Sequence, residues 1–100
     1  MKLKKYIILC LITSLTGGLS AQKTMTGIEV LKKDNFKILE RKRVGLITNP
    51  TGVDNSLKST IDILFEAPNV NLVALYGPEH GVRGDVHAGD KVENSTDPST

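Results

Sequence analysis

Two short apolar runs, and the stretch between them, constrain this chain more than any other feature. Arg43-Val44-Gly45-Leu46-Ile47-Thr48 and Val70-Asn71-Leu72-Val73-Ala74-Leu75-Tyr76 are each of strand length and each is followed by glycine- and proline-bearing turn residues. Between them Leu57, Ile61, Leu64 and Phe65 recur at helical spacing. Ser59 with Asp62 offers a helix-start pattern, and Ala67-Pro68-Asn69 ends the helix. Strand, loop, helix, strand is a βαβ unit, so the fold class is α/β with parallel strands and a right-handed crossover. Asn71 is the only polar residue in the second run, which predicts a strand covered on both faces.

Parallel strands have a functional consequence. Asn49-Pro50-Thr51-Gly52 and Gly77-Pro78-Glu79-His80-Gly81 leave the sheet at the same edge. In open α/β sheets ligands bind outside the carboxyl ends of the strands, so these two loops mark the expected site.

Upstream, Thr26-Gly27-Ile28-Glu29 has the spacing of a capping box. It predicts a helix from about Gly27 to Lys33 with Ile28, Val30 and Leu31 inward, broken by Asp34-Asn35. Phe36, Ile38 and Leu39 predict a second short turn on the same core.

The amino terminus reads as a targeting segment. Lys2, Lys4 and Lys5 precede a nearly unbroken apolar run from Tyr6 to Leu15, and Gly17-Gly18-Leu19-Ser20-Ala21 supplies a small-residue exit. A spanning helix needs roughly 20 apolar residues and this run is about half that, so residues 1–21 are expected to be a cleaved signal peptide. The destination is then periplasmic or secreted, with no stable membrane association after cleavage. Cys10, inside the apolar run behind bulky Leu9, reads as an ordinary apolar residue of the signal. Loss of three lysines takes the formal charge from +2 to −1, so the basic character belongs to the signal. No basic patch interleaved with aromatics remains, which argues against nucleic acid as a partner. The only cysteine leaves too, so no disulfide is available.

The roughly 80 residues that remain make a marginal core. Asp90 to Thr100 is polar and brings no closing helix or strand. Residues 22–100 are therefore read as the N-terminal portion of a larger domain, a truncated piece expected to bury its strands fully only with the rest present.

Glu79 is the first candidate for chemistry. A carboxyl group held between Pro78 and Gly81 at a partly desolvated strand end suits a general acid, and a solvated turn residue is the plain alternative. His80 is a partner to it or a packed loop histidine. Arg83 offers a planar cation that forks onto a carboxylate, either a ligand's or that of Asp85 or Asp90. Asn49 and Thr51 hydrogen-bond a ligand or cap their own turn. Glu79, His80, Asp85 and His87 match no recognised zinc spacing, so neither metal nor cofactor is expected.

These segments together resemble a known family. Thr26-Gly27-Ile28-Glu29-Val30-Leu31, Lys42-Arg43-Val44-Gly45-Leu46-Ile47-Thr48-Asn49-Pro50-Thr51-Gly52-Val53, Ser59-Thr60-Ile61-Asp62 and Asn71 to Gly84 are similar to the opening of the NamZ/YbbC-type exo-β-N-acetylmuramidases. The resemblance implies the start of a Rossmann-like parallel sheet in a two-domain enzyme, with the active site in the cleft between domains. It implies a glycoside hydrolase that releases N-acetylmuramic acid from the non-reducing ends of peptidoglycan fragments, with muropeptides or disaccharides as partners. It makes Glu79 the catalytic acid with His80 beside it, and Asn49, Thr51 and Arg83 substrate contacts, Arg83 suited to the lactyl carboxylate. A family chain is several times longer, so this stretch alone is expected to be inactive. The rival is a non-catalytic peptidoglycan- or sugar-binding protein on the same scaffold.

Overall fold

The computed structural model describes residues 2–7 and 21–100. Residues 2–7 are helical; residues 1 and 8–20 of the expected signal, Cys10 among them, lie outside the described residues. Among the described residues no helix is long and apolar enough to cross a membrane.

Helix α1, Gly27–Lys33, starts where the capping pattern predicts. The Glu29 carboxylate folds back and accepts from the Thr26 backbone N–H at 2.7 Å and from Thr26 Oγ1 at 2.9 Å. It also accepts from Asn55 Nδ2 at 2.6 Å, which ties the helix start to a distant loop. Ile28 is buried and Leu31 packs beside it, but Val30 is 53% exposed rather than inward. At about 100° per residue, Val30 stands roughly 200° from Ile28, on the wrong side of the helix for that core. Asn35 and Phe36 then turn the chain through positive φ, 52° and 53°. A left-handed residue costs about 1–2 kcal/mol, which burying the Phe36 ring offsets by about 1.5–3 kcal/mol. The short 3-10 turn Lys37–Leu39 follows; Leu39 packs on the core, whereas Ile38 faces solvent.

Strands β1 (Arg43–Ile47) and β2 (Asn71–Tyr76) pair in parallel, Arg43 opposite Asn71 and Ile47 opposite Tyr76, with an irregularity between Val44 and Gly45. Helix α2, Thr60–Glu66, lies between them in sequence and completes the βαβ unit. Its start is set by Ser59, whose side chain accepts from the Ile61 N–H at 3.1 Å. Ile61 (1% exposed), Ile63 and Leu64 form its buried stripe. Leu57 does not join it, being 80% exposed at φ 65° and ahead of the helix, and Phe65 is exposed as well. The segment ahead of the helix is organised by the buried Asp54. Its Oδ1 accepts from Ser56 N–H, Ser56 Oγ and Lys58 N–H at 2.8, 2.6 and 2.9 Å, gathering residues 54–58 into a loop. These bonds, that from the Ser56 hydroxyl foremost, hold Asp54 below the usual carboxylate range. A side-chain N-cap contributes about 1 kcal/mol. Ser59→Ala is therefore expected to lower stability by about that amount, read as a fall in the denaturant midpoint with an unchanged slope.

The core joins Ile28 and Phe36 to Ile63, Leu64 and Ala67, with Leu46, Val70 and Leu72 closing it from the sheet. Only that face of the sheet is covered among the described residues. On the other, Ile47 is 82% exposed and Val73 and Tyr76 are also open, the incomplete burial expected of the strands in residues 22–100 alone. Side chains alternate across a strand, and the register irregularity beside Val44 and Gly45 shifts that alternation in β2, so Tyr76 shares the open face of its partner Ile47.

Candidate functional site

The carboxyl ends of β1 and β2 do lie together. Beyond the last paired residues the Thr48 N–H donates to the Tyr76 carbonyl at 2.9 Å, so both loops depart from one rim. They also touch. Gly84, at φ 76°, sits so close to Pro50 that a Cβ on it would fall 2.7 Å from the proline Cγ. That approach and that φ both require glycine.

The first loop is held by its own side chains. Asn49 Oδ1 accepts from Thr51 N–H at 3.2 Å and Thr51 Oγ1 at 2.8 Å, while the Asn49 carbonyl accepts from Gly52 N–H at 3.0 Å. Of the two alternatives for Asn49 and Thr51, turn capping is what the isolated geometry displays. Both remain exposed on the rim.

The second loop is tighter. The Gly81 N–H donates to the Pro78 carbonyl at 2.8 Å, which puts Glu79 and His80 at the tip of a turn. Gly77 packs under this turn: a Cβ there would lie 2.6 Å from Val82 N and 2.7 Å from the Gly81 carbonyl carbon. Glu79 is exposed, not partly desolvated as expected, because the turn packs through its glycines and presents its middle residues outward. His80 closes a second ring. Its carbonyl accepts from Val86 N–H at 3.3 Å, and its Nδ1 lies 3.1 Å from the Val86 carbonyl oxygen. A carbonyl only accepts, so Nδ1 carries the proton and, in the neutral ring, Nε2 is left as an acceptor.

Arg83 is paired, with neither Asp85 nor Asp90. Nε and Nη2 fork onto Asp97 at 3.4 and 2.7 Å, and Nη2 also donates to Asp62 at 3.0 Å. The Asp97 side chain is only 8% exposed and accepts a further bond from Thr100 Oγ1 at 2.9 Å. Hydrogen bonds donated to Asp97, then to Asp62, push the Arg83 pKa up from an already high value, and Arg83 in turn draws Asp97 below the usual carboxylate range. Sequence reasoning missed both partners. Asp62 read as a helix-start residue and Asp97 as part of a polar tail, and nothing in local spacing ties either to Arg83. Among the described residues no three His, Cys, Asp or Glu side chains gather as a metal site.

With this geometry in place, the chain can be set against known proteins. The family described as exo-beta-N-acetylmuramidase NamZ, N-terminal, matches residues 44–100. The peptidoglycan beta-N-acetylmuramidase NamZ of Bacillus subtilis (strain 168) is 58% identical over 78 residues, which are 78% of this chain and 19% of that protein. A crystal structure of a DUF1343 family protein from Bacteroides fragilis NCTC 9343 is 86% identical, with a TM-score of 0.61 over 66% of this chain and 17% of that one. The chain thus spans about a fifth of the length of the relatives it matches.

Proposed function

Because the chain belongs to the NamZ family of exo-β-N-acetylmuramidases, we propose that the full-length protein is a glycosidase releasing N-acetylmuramic acid from the non-reducing ends of peptidoglycan fragments. One observation supports this reading above the rest: the Glu79-bearing turn is seated against the Asn49-bearing turn at the carboxyl rim of a parallel pair. That is where an α/β scaffold offers a ligand site.

Glu79 is the proton donor in this proposal. As the bond from the sugar's anomeric carbon to the glycosidic oxygen breaks, the Glu79 carboxyl transfers its proton to that oxygen and the leaving sugar departs as an alcohol; water's oxygen ends bonded to the anomeric carbon, and the proton it releases restores the Glu79 carboxyl. Glu79 is exposed among the described residues, and in the full-length protein bound sugar and a second, smaller domain facing the Rossmann-like one across a cleft close over it. His80, held with Nε2 as acceptor, takes a hydrogen bond from a substrate hydroxyl or orients water. Asn49 and Thr51 supply further hydroxyl contacts, while Arg83, already held by Asp97 and Asp62, is assigned no contact with substrate. Glycosidases of this kind set a second group across the bond, and none of the residues above is assigned to it. Residues 1–21 are the export signal, and the working site is the periplasm or the cell exterior.

The test is the full-length protein with a chromogenic β-N-acetylmuramide and with a muropeptide carrying N-acetylmuramic acid at its non-reducing end. Release of free N-acetylmuramic acid from both is expected. Saturable binding with no sugar released sinks the enzyme reading in favour of a peptidoglycan- or sugar-binding protein.

A further inference from the structure

One guanidinium joins three segments that are far apart in sequence: Arg83 in the loop after β2, Asp62 in the first turn of α2, and Asp97 beyond the loop. We propose that Arg83, Asp97 and Asp62 form a clamp that positions the Glu79–His80 turn for the reaction, with Arg83 serving as a positioning residue. The inference rests on the glycosidase reading for its catalytic consequence and on the geometry alone for the clamp.

Residues 77–86 need such a device. Three glycines, Gly77, Gly81 and Gly84, give this stretch more backbone freedom than any side-chain-bearing loop, and that freedom opposes a fixed carboxyl position. The hydrogen bonds from Gly81 to Pro78 and between His80 and Val86 shape the loop internally but tie it to nothing outside. Attachment comes from Gly84 against Pro50 and from the Arg83 ion pairs. Of these, only the ion pairs reach the helix that also builds the core. Their form suits a fixed joint. Asp97 is bidentate and mostly shielded, the geometry in which an Arg–carboxylate pair is strongest and most directional. Two carboxylates around one guanidinium also leave the group with net negative charge. A third carboxylate from substrate is repelled by both aspartates and has only Nη1 to meet. Arg83 therefore acts on the reaction first through where it holds the loop.

The experiment compares Asp97→Asn, Arg83→Met and the double variant in the full-length protein, reading kcat and KM on the muropeptide with N-acetylmuramic acid at its non-reducing end, and hydrogen exchange of the Gly81 and Val86 amides that are bonded within the turn. A joint that misplaces the acid by about 1 Å lowers kcat by up to about 100-fold. The clamp predicts a fall of that order in each single variant with KM little changed. The double variant should be no worse than the worse single one, because both break the same pair. Exchange at both amides should quicken, and Asp97→Glu, which keeps the charge, should recover most of kcat. If Arg83→Met raises KM while Asp97→Asn leaves kcat and exchange untouched, Arg83 binds substrate directly and the clamp is wrong. Unchanged exchange in both single variants also overturns it. A full-length protein that hydrolyses nothing defeats the glycosidase reading instead, and the exchange measurement then still decides the clamp.

Discussion

Glu79→Gln in the full-length protein is expected to lower turnover of a muropeptide by about 10²–10⁴-fold while substrate binding is kept, the range over which a positioned general acid acts. Gln matches Glu in shape and still hydrogen-bonds the glycosidic oxygen, but it has no proton to transfer at that atom. The size of the loss should depend on the leaving group. A nitrophenolate departs without protonation, whereas a sugar alkoxide does not, so the variant should lose far more on the natural disaccharide than on the chromogenic muramide. Steady-state kinetics on both substrates, with binding to the variant by calorimetry, check the pattern. Equal turnover of wild type and variant on the disaccharide would remove Glu79 as the acid, whatever the variant does with the activated substrate.

Gly77→Ala is expected to be nearly as damaging, for a reason of space rather than chemistry. The new methyl would lie 2.6 Å from Val82 N and 2.7 Å from the Gly81 carbonyl carbon. Both are backbone atoms and neither belongs to a flexible side chain, so the turn must lift. A forced insertion of this kind costs about 1–3 kcal/mol. A displacement near 1 Å at Glu79 removes up to about 100-fold in rate. Gly27→Ala is the control: a Cβ there meets nothing within 4 Å, at the first position of α1. It should leave activity alone and raise stability by up to about 1 kcal/mol. Thermal unfolding and kcat measured on both variants separate the two. A fully active Gly77→Ala protein would mean that the turn tolerates movement and that its packing does not set the position of Glu79.

Several features were legible because they follow from short-range physics. The Thr26–Glu29 pattern marked the start of α1 because a carboxylate three residues on reaches the free amides of a first turn. Ala67-Pro68-Asn69 closed α2, and the two apolar runs became paired parallel strands. Other readings failed where apolar spacing was taken for burial. Val30, Ile38, Leu57 and Phe65 are apolar yet exposed, and each sits on a helical face or turn that looks away from the one core. Spacing reports which residues share a face, not whether anything covers it.

The sequence by itself determined the order of the elements, the parallel sense of β1 and β2, and the shared edge from which the Asn49 and Glu79 loops depart. Crossover length and turn chemistry are properties of neighbours along the chain, so they are written locally. Only the tertiary structure decided that Gly84 abuts Pro50 and that Arg83 is claimed by Asp62 and Asp97. Those choices depend on which charges and backbones folding brings within a few ångströms across 14 to 34 positions of chain, and no pattern of adjacent residues encodes such a meeting.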